Sequence, residues 1–159
     1  MQDMRIKDRL LFWFDKGDLG HRYVALEAFR WLNDSGCRHA VVDSWQRGGR
    51  DDEDRVVLSE ALLRLGDPRG VSFLETVARR ADGMLSAIAA TSIHEHDPAL
   101  GLELMRLILN HGNSRAQQCM VTRIWNIAGD LPRAYPADEI HEARAWVEQQ
   151  LLYRMWADE

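Results

Sequence analysis

The residues best suited to chemistry here are histidines and carboxylates, and their spacing decides what they can do. His94-Glu95-His96-Asp97 sets two imidazoles beside two carboxylates, a donor set that suits zinc. Residues two apart on a helix point about 200° apart, so these donors converge only where a helix ends. The simpler reading is a helix junction, with histidines at the negative end of one helix and Asp97 capping the next. His141-Glu142-Ala143-Arg144-Ala145 opens like a zinc-protease helix. The second His position is Ala145, and ligation from one face needs both. His21, His39 and His111 stand alone. Asp51-Asp52-Glu53-Asp54 suits a cation or, more simply, the start of a helix whose positive end it complements. Gly48-Gly49 between Arg47 and Arg50 reads as a hinge, not a phosphate cradle. No nucleophile elbow, dinucleotide glycine motif or phosphate loop occurs. No catalytic residue, metal or cofactor is expected, and the chain reads as a binding protein, not an enzyme.

Composition narrows the partner. The 159 residues carry a net charge of −5, and 46% are apolar, enough for a core and for one domain spanning 1–159. Mild acidity disfavours nucleic acid, which needs a surplus of Lys and Arg. Residues 116–159 hold 4 basic and 7 acidic groups, so most of the excess lies there. An acidic end suits a basic partner or a solvated cap. The 6 Trp read as bulky filler between helices. No apolar run is long enough to span a bilayer, and the start MQDMRIKDRLLFWF lacks a signal-peptide pattern. Cys37 and Cys119 form no CxxC pair and read as free thiols, so a cytoplasmic location is expected.

The elements follow from a repeat. Asp34, Asp67, Asp97 and Asp130 recur at steps of 33, 30 and 33 residues. Asp67 and Asp97 each precede Pro, and Asp then Pro is the chemistry of a helix start. Gly66 and Gly129 just before two of these Asp suit a left-handed helix end. Between the marks apolar residues keep helical spacing, as in Val71, Leu74, Val77 and Ala78, and the last stripe runs Ile140, Ala143, Val147, Leu151 and Met155. No strict alternation or Asn-Gly turn suggests a strand. The spacing predicts nine helices over 3–16, 19–34, 37–47, 52–65, 68–81, 83–95, 98–111, 114–128 and 137–157. A helix pair cannot bury its apolar face alone, so the pairs must stack, with 137–157 capping the stack.

Glu60-Ala61-Leu62-Leu63-Arg64-Leu65-Gly66-Asp67-Pro68-Arg69-Gly70-Val71 resembles the HEAT-like repeats of the phycobilisome-lyase type. The resemblance covers 52–132 best. It implies an all-α fold, a short right-handed α-solenoid of helical hairpins whose second helices line the inner face. It implies a protein-binding surface and no catalytic residues.

On such a face the helix over 68–81 turns Arg69, Phe73, Thr76 and Arg80 away from its core residues. Thirty residues later the equivalents are Glu103, Arg106 and Asn110, and the last helix adds Arg144. Mixed charge around an apolar anchor, Phe73, fits one protein partner. A bacterial immunity protein that neutralises a cognate toxin is the sharpest form of this expectation. The alternative is an adaptor or assembly chaperone, ahead of a HEAT-like enzyme or nucleic-acid reader.

Overall fold

A computed structural model describes residues 2–32, 34–129 and 139–157. Among these residues the chain is helical throughout, with nine α-helices and one 3-10 turn. They are α1 (Gln2–Lys16), α2 (Leu19–Leu32), α3 (Ser35–Gln46), α4 (Asp52–Arg64), the 3-10 turn Pro68–Gly70, α5 (Val71–Arg80), α6 (Met84–His94), α7 (Pro98–His111), α8 (Ser114–Ala128) and α9 (Ile140–Ala157). No helix among them is long and apolar enough to cross a membrane. The chain forms two compact units, residues 1–71 and 72–159.

Local chemistry explains the boundaries. Asp34 accepts backbone N–H bonds from Gly36 and Cys37, at 2.8 and 3.1 Å. It is the cap of α3, so the second helix stops at Leu32 and the third starts at Ser35, not at the expected 34 and 37. Asp67 caps the 3-10 turn through Arg69 N–H at 3.1 Å, and Asp97 caps α7 through Leu100 N–H at 3.1 Å. Asp130 and residues 137–138 of the expected last helix lie outside the described residues. Gly66 and Gly129 take φ of +72° and +80°, the left-handed helix ends their positions suggested.

In the first unit α2 packs on α1, α3 and α4. Its core joins Leu10 and Phe14 of α1, Ala25, Leu26 and Phe29 of α2, Cys37 and Val41 of α3, and Leu58 and Leu62 of α4. Trp13 and Trp45 lie against this core as filler. The same unit buries an ion pair. Arg22 is 3% exposed, its guanidinium is paired with the fully buried Asp54, and it lies 4.2 Å from the Phe14 ring. Arg22 also donates to Phe14 O and Ser44 Oγ, each at 2.6 Å. Asp54 Oδ2 accepts the Arg50 N–H at 2.9 Å. The acidic run thus splits its work, with Asp51 capping α4 through Asp54 N–H and Asp54 turned inward as a counter-ion. Gly48 and Gly49, at φ of +93° and +69°, form the turn that leads into it.

In the second unit α6 packs on α8 and α7 packs on α9. Hairpin neighbours α6–α7, α7–α8 and α8–α9 are in contact as well. Small residues leave α6 buried on most sides, through Ser86, Ala87, Ala89, Ala90, Thr91, Ser92 and Ile93. Its end is met closely by α7, because a Cβ on Gly101 would lie 2.3 Å from His94 Cα. Met120, Val121 and Ile124 of α8 and Ala143 and Val147 of α9 complete the core. Met155, expected to continue the α9 core stripe, is 68% exposed. Periodicity gives the direction of a stripe but not where the neighbouring helix ends, and burial on α9 stops in its first half.

Candidate functional site

The buried positions of α7 fix its outward face. Gly101, Leu102, Leu104, Met105, Ile108 and Leu109 are buried. At 100° per residue the opposite side is held by Glu103, Arg106 and Asn110, all exposed. These three expected residues therefore share one face. With Arg79 of α5, Leu107 and His111 they line a groove between α5 and α7, with Leu104 beneath. The groove mixes two guanidiniums, a carboxylate, an amide and an imidazole over leucine.

Its charges are loosely held. Arg79 donates from Nε and Nη2 to Glu75 Oε1 at 2.9 and 2.7 Å, one turn away on α5. Arg106 Nη1 lies 3.9 Å from Glu148 Oε2 of α9, and both side chains are about half exposed. Exposed pairs of this kind contribute roughly 0–1 kcal/mol, so either guanidinium turns toward a new carboxylate at small cost.

The α5 side of the site differs from expectation by one position. Leu74, Val77 and Ala78 are buried, which sets Ser72, Thr76 and Arg79 opposite them. Thr76 is exposed, and its Oγ1 donates to Ser72 O at 2.8 Å. Phe73 is half-buried at the edge of that face and is not an exposed anchor. Arg80 is exposed, but Arg79 is the residue that lines the groove. The cause is the 3-10 turn Pro68–Gly70, which spends three residues per turn where the start of α7 spends 3.6. The caps Asp67 and Asp97 are 30 residues apart, yet the buried Gly70, Leu74, Val77 and Ala78 correspond to Gly101, Met105, Ile108 and Leu109 at a step of 31. Arg80 follows from the helix's own spacing, and a step of 30 then pairs it with Asn110, whereas at the step of 31 that the buried residues keep the equivalent of Asn110 is Arg79.

Two expected residues are engaged elsewhere. Arg69 belongs to the first unit, and its Nε and Nη2 each reach an Asp67 carboxylate oxygen at 3.0 Å. Arg144 of α9 is half-buried and donates from Nε and Nη2 to Leu109 O at 3.1 and 2.5 Å. Gln117 Nε2 reaches the same carbonyl at 2.9 Å, so the end of α7 is capped by two neighbouring helices.

The histidine cluster of the α6–α7 junction divides its roles. His94 packs against Gly101 and Asp97 caps α7, while Glu95 and His96 are exposed. Burial, and then the nearby positive Arg154, push the His94 imidazole below its ordinary pKa. Among the described residues no group of three or more His, Cys, Asp or Glu is placed to hold a metal ion. Cys37 is buried and Cys119 half-buried, and both are free thiols. Comparison with protein-family models, curated proteins and solved structures found no match.

Proposed function

We propose that the chain is a protein-binding helical-repeat module whose working surface in the second unit is the outward face of α5 and α7. The observation that carries this reading is the α5–α7 groove, where Glu103, Arg106 and Asn110 stand opposite the α7 core beside Arg79. Charges of both signs and an amide over leucine match a protein surface of mixed charge better than a polyanion. The packing of α6 on α8 and α7 on α9 supports hairpins stacked as in a short α-solenoid. In that arrangement α5, α7 and α9 are the second helices, and the resemblance of Glu60–Val71 to HEAT-like repeats points the same way. The sharpest form of the proposal is one tight protein partner, such as a toxin that the chain neutralises. An adaptor would instead hold several weaker clients.

Affinity capture of the full chain from its source cell tests both parts. The expected result is one stoichiometric protein that is lost from the Glu103→Arg, Arg106→Glu double variant and kept by Glu142→Arg, a change at the exposed start of α9. A partner that stays bound to the double variant overturns the assignment of this face. Several substoichiometric proteins in place of one overturn the toxin form.

A further inference from the structure

The second half of α9 ends in an uncovered apolar surface. Ala143 and Val147 are fully buried and hold its first half in the second unit, with Arg144 clamped to the Leu109 carbonyl. Beyond them Leu152, Tyr153, Met155 and Trp156 are 56%, 62%, 68% and 77% exposed. A contiguous exposed apolar patch marks a surface that another molecule covers. We infer that a second copy of this chain covers it, the two α9 ends packing antiparallel about a two-fold axis.

The pattern is self-complementary. Gln149, Leu152, Tyr153 and Trp156 fall at i, i+3, i+4 and i+7 and together line one shallow concavity. An antiparallel pair centred between positions 152 and 153 sets each Leu152 against the other copy's Tyr153. It sets each Trp156 against the other copy's Gln149. The indole N–H, which needs an acceptor once covered, then meets an amide oxygen. Arg154 is the one charge between Gln149 and Trp156, and helical geometry turns it about 160° from Trp156. The contact therefore desolvates no charge at its centre, as the middle of a stable interface requires. Aromatic side chains each bury roughly 150–250 Å², so Tyr153 and Trp156 with Leu152 and Gln149 offer on the order of 500 Å² per copy. Two copies together bury about 1,000 Å², the lower limit for a specific interface. The dimer is thus weak and depends on protein concentration.

Sedimentation of the full chain over a wide concentration range tests this. A reversible monomer–dimer equilibrium is expected, and Leu152→Glu with Trp156→Glu is expected to yield monomer with unchanged far-UV circular dichroism. The milder Leu152→Gln, Trp156→Gln pair is expected to raise the dimer dissociation constant at least tenfold. A wild-type chain that stays monomeric at every concentration overturns the inference, whether or not a variant folds. So does a dimer that survives both pairs of changes, which would place the contact elsewhere. Wild-type monomer that floats with phosphatidylcholine vesicles would assign the patch to a lipid surface and overturn it as well.

Discussion

At the residue scale the least foreseeable feature is the Arg22–Asp54 pair. The two residues are 32 apart, and Asp54 ends an acidic run that reads as a solvated helix start. Nothing local distinguishes it from Asp52, which is exposed. Only the packing of α2 on α4 turns it inward. A buried ion pair adds little net stability over an apolar pair, but removing one partner strands the other charge. Asp54→Asn is therefore expected to cost about 3–5 kcal/mol, while Arg22→Met with Asp54→Leu costs much less, as read by urea unfolding. His94 gives a pH test of opposite origin. Its folded pKa lies below its unfolded value because burial disfavours the cation. The unfolded chain thus takes up a proton near pH ~6.5 that the folded chain refuses. Its contribution to stability is complete above that pH and is lost as pH falls toward the lower folded value. The melting temperature should drop on acidification below pH ~6.5, and His94→Gln should remove that part of the pH dependence.

At the element scale the helix starts after Asp67 and Asp97 were legible because capping is local, while the sequence spacing sets the start after Asp34 two residues late. Asp67 and Asp97 act on N–H groups two or three residues away, so their type and position, with Pro following, suffice to place a helix start. The rotation of α5 was not legible, because an α start and a 3-10 start share the same Asp-Pro signature and differ only in residues per turn. Close approach is equally hidden. Gly101 lies inside α7, where Ala is favoured by ~1 kcal/mol on helix propensity alone. Its added Cβ would stand 2.3 Å from His94 Cα, a backbone atom that cannot swing aside. Overpacking costs typically 1–3 kcal/mol, so the clash outweighs the propensity gain. Gly101→Ala should lower the urea midpoint, and Gly101→Val should lower it further. Gly83→Ala meets open space at an extended φ of 171° and should leave the midpoint almost unchanged. Equal effects at positions 83 and 101 would mean that α6 and α7 are not packed this closely.

At the scale of the molecule the helical class was readable because apolar periodicity survives in every long segment. The outward face of α7 was readable for the same reason, since six buried positions leave one outward direction. Partner class depends on how charge is spread, not on any one residue. Of the 20 basic residues 18 are Arg, an abundance that invites a nucleic-acid reading. In the second unit Arg79 lies beside Glu75, Arg106 beside Glu148, and Arg144 is bound to the Leu109 carbonyl. In the first, Arg22 is buried with Asp54 and Arg64 is paired with Glu27. A phosphate backbone gains affinity by releasing counterions from many uncompensated cations at once, and each neutralised phosphate adds roughly 0.9 to the salt slope. Neighbouring carboxylates offset much of this positive charge, and the net −5 repels the polyanion at long range. Short duplex DNA or RNA in low salt should therefore show no salt-dependent binding in fluorescence anisotropy. The charge-raising pair Glu75→Gln, Glu148→Gln, which frees Arg79 and Arg106, should induce at most weak binding that vanishes near physiological salt. A wild-type slope corresponding to several phosphates would place a basic groove on this molecule and displace the protein-binding reading.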